Sequence, residues 1–211
     1  MVYEKRTFIK VSSVLATGSV LSPLVSWQPG DKLKNWAGNI EYSTDQLHQA
    51  ASAEQVQDIV KKYKKLKVLG SRHCFNRIAD STDNFISLKQ MDEVTGLDEK
   101  ARTVTVGAGM KYGQLCPYLD SKGFALHNLA SLPHISIAGA CATATHGSGV
   151  KNGNLATAVS AIEMVTADGD VVSLSREKDG EKFLASVVGL GALGVVTKVT
   201  LNVQPAFKMR Q

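Results

Sequence analysis

The run Leu69–Asn76 reads LGSRHCFN and sets one imidazole, His73, on a Gly-Ser turn between Arg72 and Cys74. A neutral imidazole can act as a nucleophile, a proton carrier or a metal ligand. It can also be a polar residue satisfied by its neighbours, and the turn alone leaves both readings open. Two further stretches are equally poor in bulk. Ser131–Gly153 reads SLPHISIAGACATATHGSGVKNG, and Gly189–Gly194 reads GLGALG. Small residues let backbone N–H groups come close to phosphates or a flat ring, and they also allow tight packing between loops. Three such segments in one chain of this size tip the reading towards a large ligand.

Other chemistries fit less well. GLGALG contains a GxGxxG spacing, but no predicted strand precedes it and no βαβ unit surrounds it, so a Rossmann fingerprint is rejected. His127, His134 and His146 follow no helical or hairpin ligand spacing and have no clustered carboxylates beside them, so no metal centre is expected. The three cysteines, Cys74, Cys116 and Cys141, form no CxxC pair and read as buried free thiols.

These residues must be carried by elements that the pattern makes visible. Ser52-Ala53-Glu54-Gln55 is a capping-box pattern. After it, Val56, Ile59, Val60 and Tyr63 fall at helical spacing. Strands are predicted at Lys67–Leu69, Phe85–Leu88 and Thr103–Val106, the last running into Gly107-Ala108-Gly109. A helix is predicted over Lys111–Ser121 despite Pro117, with Gly123 as its stop. Ala161–Ala167 and Asp170–Leu174 read as a hairpin through Asp168-Gly169, and Val195–Val203 as a last alternating strand. The expectation is two α+β halves meeting near residue 130.

Composition limits the partners. With 44% hydrophobic and 20% charged residues, the 211-residue chain is globular. The net charge of +5 is spread out, and the cluster Lys61, Lys62, Lys64, Lys65 and Lys67 reads as a solvated helix end. No aromatic residues interleave with the basic ones, so no nucleic-acid groove is expected. At the N-terminus, Glu4–Lys10 (EKRTFIK) precedes an apolar, small-residue stretch to Trp27. Gly18 and Pro23 interrupt it, and it is short for a stable membrane span. A positive start and an apolar follow-on predict an export signal over residues 1–27, twin-arginine-like with Lys5 in place of the first arginine, and hence an exported, periplasmic protein. Residues 28–34 read as a linker.

Four segments carry a resemblance: NWAGN at Asn35–Asn39, LGSRHCFNRIAD at Leu69–Asp80, ASLPHISIAGACATATHGSGV at Ala130–Val150 and LGALGVVTKVTL at Leu190–Leu201. Together they make the chain resemble the PCMH-type flavin-binding domain of the vanillyl-alcohol oxidase / p-cresol methylhydroxylase superfamily. Within it, the alditol (xylitol) oxidases look most similar, with the sugar-lactone oxidases as close relatives. The resemblance covers residues 35–207.

The resemblance implies an α+β fold of two lobes with an extended FAD between them. It makes His73 the residue joined covalently to the 8α carbon of the flavin. It implies that Val68, Leu69, Gly70, Ser71, Arg72 and Cys74 line the pyrophosphate. Cys74 stands where the family commonly has serine, which removes one hydroxyl from that lining. Ser131, Ser136, Gly139, Thr143, Ala144, Thr145 and His146 match further flavin contacts, with Ser131 near both ring and substrate, and Val195 matches a backbone contact on the adenine side. The implied reaction is oxidation of the CH–OH group of a polyol or sugar-type alcohol. Hydride passes to flavin N5, and O2 is the acceptor, giving hydrogen peroxide. A quinone- or cytochrome-linked dehydrogenase and a non-catalytic flavin-binding module are the alternatives. Family members carry a C-terminal substrate domain, and its charged residues are not in this sequence. The chain alone is therefore expected to bind FAD and to turn over weakly or not at all.

Overall fold

The structure is a computed structural model that describes residues 32–208. The expected export signal at 1–27 lies outside the described residues, as do residues 28–31 of the expected linker. Lys32–Lys34 belong to the fold: Leu33 is buried beside Tyr42, Leu69 and Phe85, and Lys34 pairs with Glu41 through an isolated antiparallel backbone bridge. Among the described residues no helix is long and apolar enough to cross a membrane.

The first layer is a parallel three-stranded sheet. Strands β1 (Leu47–Gln49) and β2 (Leu66–Val68) flank β3 (Asn84–Ser87) on either side, and helix α1 (Ala53–Lys62) is the crossover between β1 and β2. Ser52 caps α1 by accepting from Gln55 N–H, and the Gln55 side chain reaches back to Ala51 N–H. The predicted capping box therefore closes one residue earlier than its usual reciprocal form.

The second layer is antiparallel, with strand order β4-β5-β9-β7-β8. Its strands are β4 (Val94–Asp98), β5 (Thr103–Gly107), β7 (Val159–Val165), β8 (Val171–Ser175) and β9 (Val195–Asn202). The alternation read in β9 is real: Val195, Thr197, Val199 and Leu201 are buried and their neighbours are not. The β7–β8 hairpin turns at Asp168-Gly169 as predicted, with Gly169 at φ 84°. A short antiparallel pair, β6 (Phe124–Ala125) with β10 (Gln204–Pro205), forms a separate two-stranded sheet.

The α+β class holds, but the sheets do not divide near residue 130. Strands β4 and β5 already belong to the second sheet, so the break falls between β3 and β4. β5 pairs with β9 across the chain, a long-range choice that local pattern does not encode.

Helix α2 (Tyr112–Ser121) tolerates Pro117 and buries Tyr112, Leu115 and Leu119 along one stripe. Helix α3 (Ile137–Ala142) sits inside the long glycine-rich run. Helix α4 (Arg176–Val187) was not evident in the sequence. Gly180 breaks its geometry at φ 46°, and Phe183 is the one large residue it buries fully, so its apolar period is faint. Ser175 caps it through Lys178 N–H, and Asp179 accepts from Ser175 N–H.

The main core lies under the antiparallel sheet, built on Val104, Val106, Leu115, Ile137, Phe183 and Leu201. A second cluster joins the sheets: Val56 of α1 and Ile86 of β3 pack with Val165 and Val195 of β7 and β9. Each large apolar side chain so buried contributes about 1.5–3 kcal/mol. This second cluster also fixes where the ends of β2 and β9 lie relative to each other.

Candidate flavin site

The chain leaves the parallel sheet after Leu69, whose N–H donates to Ile86 O at 2.8 Å. Gly70 to Asn76 then cross the open end of that sheet. The NWAGN segment clamps this turn from outside. Trp36 N–H donates to Arg72 O at 2.9 Å, and Asn35 Nδ2 donates to Cys74 O at 3.2 Å and to Asn39 Oδ1 at 2.9 Å. Arg72 is held in the left-handed region at φ 64°, with its guanidinium donating to Lys34 O at 2.9 Å. That backbone conformation is unfavourable for a residue with a β-carbon, and the clamp imposes it. Downstream, Asn76 caps the short 3-10 turn Arg77–Ala79. Asp80 then accepts from Ser43, Arg77 and Ser81. Burial alone would raise the Asp80 carboxyl, but these hydrogen bonds outweigh it and hold it below the usual carboxylate range.

The turn faces helix α3. Ser136 N–H donates to Ser71 Oγ at 3.1 Å, joining the two glycine-rich segments. The Ser136 hydroxyl is buried and has no hydrogen-bond partner among the described residues. A β-carbon on Gly70 would lie 2.8 Å from that hydroxyl, and one on Gly139 would lie 2.7 Å from it. Among the described residues, none accepts a hydrogen bond from the backbone N–H groups of Gly70 through Cys74. In the first turn of α3, Ile137 N–H is taken by Met110 O at 2.9 Å, which leaves the N–H groups of Ala138 and Gly139 without an intrahelical acceptor.

His73 stands at the edge of this cradle. Its Nδ1 lies 3.1 Å from Ser71 O and 3.3 Å from Ser71 Oγ, and its Nε2 lies 2.9 Å from His134 Nε2. Trp36, half exposed, stacks on both rings, with centroids 4.7 Å from His73 and 5.2 Å from His134. Burial, and then the neighbouring imidazole of His134, hold the His73 pKa below its ordinary value. His73 is therefore a neutral base at neutral pH.

The third glycine-rich segment meets the other two. Leu190 N–H donates to Ala142 O at 3.3 Å, and Gly191 faces Val68. Val68 and Ala138 pack against the buried cluster that contains Val195. Thr143 caps the end of α3 and back-bonds to Gly139 O, Ala144 follows at φ 51°, and Thr145 N–H donates to Ala140 O. Ser131 and His146 are both exposed at the rims of the long run, His146 with Nδ1 beside Gly147 O. The structure thus brings Gly70, Ser71 and His73 together with Ser136 and Gly139, and seats Val68 on the cluster of Val195, while Ser131 and His146 stay at the rims. His134 and Trp36 complete the group, and the sequence reading did not assign them to the site. Both sat inside motifs that were recognised, but nothing in their spacing pointed to His73.

The three thiols do not enter this chemistry. Cys141 is buried and pushed up to about 12 by desolvation, and Cys74 and Cys116 are raised for the same reason. Among the described residues no three His, Cys, Asp or Glu side chains converge as a metal site would require. A shallow cavity of about 470 Å³ beside α1, lined by His48, Asp58, Lys62 and Tyr63, holds none of the predicted residues.

The residues present fit a flavin dinucleotide. Free backbone N–H groups suit a pyrophosphate, the orphaned Ser136 hydroxyl wants a polar partner, and missing β-carbons leave room for close approach. Comparison with known proteins agrees. Residues 44–175 match the family described as FAD binding domain. The chain therefore belongs to the PCMH-type FAD-binding domains.

Alditol oxidase from a Streptomyces species is 46% identical over 180 residues, covering 84% of this chain and 43% of that protein. L-gulonolactone oxidase from Bos taurus is 33% identical, covering 89% and 44%. L-gulono-1,4-lactone dehydrogenase from Mycobacterium tuberculosis is 34% identical, covering 84% and 42%. Among solved structures, 6-hydroxy-D-nicotine oxidase from Arthrobacter nicotinovorans superposes with a TM-score of 0.66 at 22% identity, covering 75% of this chain and 36% of that one. That likeness supports the fold. The chain spans less than half the length of the curated relatives it matches.

Proposed function

We propose that this chain is the cofactor-holding part of an oxidoreductase acting on the CH–OH group of a polyol or sugar-type alcohol, with FAD joined covalently to His73. The observation that carries the reading is the cradle between Ser71 and Ser136, where free N–H groups and an orphaned hydroxyl meet beside a neutral imidazole. Its substrate class rests on the 46% identity to alditol oxidase.

Bound FAD supplies a two-electron acceptor that takes hydride from the carbinol carbon and delivers the electrons to dioxygen, giving hydrogen peroxide. Val68 to Cys74 hold the pyrophosphate through backbone N–H groups rather than a cationic clamp. Ser136 and Gly139 would let the cofactor pass close to α3, and Thr143, Ala144, Thr145 and His146 would supply further contacts to it. Val195 orders the backbone at the adenine end, and Ser131 lies towards the ring and substrate. His73 offers a neutral nitrogen to the 8α carbon. Joining them replaces one methyl C–H bond and the imidazole N–H bond by a C–N bond. The two electrons and two protons released reduce one dioxygen to hydrogen peroxide. Delivery outside the cytoplasm is part of the proposal and rests on the sequence pattern of residues 4–27.

The test is flavin fluorescence of the purified chain on a denaturing gel, beside His73→Ala. The expected result is a fluorescent band in the first lane and none in the second. Flavin released on denaturation from both chains would keep the cofactor and remove the covalent bond. A second acceptor is also in view, because one relative is named a dehydrogenase. Peroxide yield against dye reduction under air separates the two.

A further inference from the structure

The Nε2 atoms of His73 and His134 are 2.9 Å apart, and the same indole face of Trp36 carries both rings. At that distance one nitrogen must donate and the other accept, so the contact holds one proton between two imidazoles. The other nitrogen of His73 faces Ser71, which offers a carbonyl acceptor at 3.1 Å and a hydroxyl at 3.3 Å. Ser71 can therefore accommodate either His73 tautomer. At Nε2 the two rings are coupled, because whichever of His73 and His134 donates there the other must accept. The two sides of the His73 ring are thus different: Nδ1 faces Ser71 and, through it, α3, while Nε2 is spoken for.

We propose that His134 is the proton acceptor and positioning residue for His73. This inference rests on the covalent reading above and deepens it. When a carbon bonds to Nδ1 of a neutral imidazole, the N–H on the opposite nitrogen becomes acidic and must leave for the ring to end neutral. His134 Nε2 accepts that proton from His73 Nε2, and His134, being only partly buried, passes a proton on to solvent from its other nitrogen. It is the same imidazole proton counted in the overall exchange above, so the balance is unchanged. Trp36 holds both rings in place so that the transfer needs no ring rotation.

The experiment follows flavin linking over time in chain purified without flavin and then given FAD in air. His134→Ala removes the base and leaves room for a free imidazole. His134→Phe removes the base but keeps a ring under Trp36. Linking is expected to slow at least about tenfold in both variants, beyond any change in reversible FAD affinity measured beside it. Added imidazole should restore the rate in His134→Ala and not in His134→Phe. Linking at the wild-type rate in both variants would overturn the proposal. So would slow linking that imidazole does not relieve and that tracks lost FAD affinity, since that is a packing role.

Should the unmodified chain never link flavin, the covalent reading fails on its own. The pair is then judged by nitrogen-15 histidine titration of wild type against His134→Phe. A His73 midpoint that rises in the variant supports the proton-sharing pair, and an unchanged His73 midpoint refutes it.

Discussion

Ser136 donates its backbone N–H to the Ser71 hydroxyl at 3.1 Å, across 65 residues of sequence, while its own hydroxyl is buried without a partner among the described residues. A buried hydroxyl left unsatisfied costs about 1–3 kcal/mol. Native chains rarely leave such a group without a partner, and at the open end between Gly70 and Gly139 a bound ligand can complete the bond. Ser136→Ala should therefore leave the flavin-free chain as stable as before or about 1 kcal/mol more stable. FAD binding should weaken about five- to tenfold. Urea melts and a flavin titration read the two effects separately. Unchanged FAD affinity would take Ser136 out of the site.

The neutral state of His73 gives a pH dependence of definite sign. Burial and His134 lower its pKa in the folded chain, so the folded chain binds this proton less readily than the unfolded one. The stability contributed is complete above the unfolded value of about 6.5 and is lost as pH falls from there towards the lowered folded value. Flavin linking should accordingly stay level from about pH 8 to 6.5 and drop only below that. Thermal midpoints of wild type and His73→Gln, taken from mildly alkaline to mildly acid pH, should converge as the solution is acidified. A linking rate that already falls at mildly alkaline pH would contradict a lowered pKa.

Asn35 tests the clamp. Its buried side chain donates to Cys74 O and Asn39 Oδ1 and accepts from Ile40 N–H. Asn35→Ala breaks three bonds and strands the Cys74 carbonyl. A loss of about 2–3 kcal/mol is expected, with weaker retention of flavin because the His73 turn is no longer held. A change below about 0.5 kcal/mol in urea unfolding would mean that the NWAGN segment merely lies on the turn.

Two glycines separate close packing from open space. A β-carbon on Gly109 would run into the carbonyl of Leu88, at the junction of the two sheets, where backbone cannot step aside. Gly96, on β4, has nothing within 4 Å of the same position. Gly109→Ala should cost about 3 kcal/mol or more or yield insoluble protein. Gly96→Ala should stay within about 0.5 kcal/mol of wild type. Equal stabilities of the two variants would mean that the sheet junction is looser than its backbone contacts imply.

Much of the local structure was already written in the chain. Val56, Ile59, Val60 and Tyr63 produced α1, the alternation of Val195–Leu201 produced β9, and Asp168-Gly169 produced the hairpin, because each is a short-range consequence of side-chain period or turn geometry. Strand edges moved by one or two residues, as with β2 at Leu66–Val68, since hydrogen bonding to a partner sets a strand end. Helix α4 escaped because Gly180 interrupts a period with few buried positions. The motif residues around His73, Ser136 and Val195 were legible as types and as a family resemblance.

Their convergence was not legible. Which sheet β5 joins, why Leu33 is buried, and that His134 meets His73 at 2.9 Å under Trp36 all depend on contacts between residues far apart in the chain. The sequence by itself determined the elements and the small, donor-rich loops, because those follow from local sterics. The tertiary structure decided which loops face one another, because the packing of Val56 and Ile86 against Val165 and Val195 fixes where the strand ends meet.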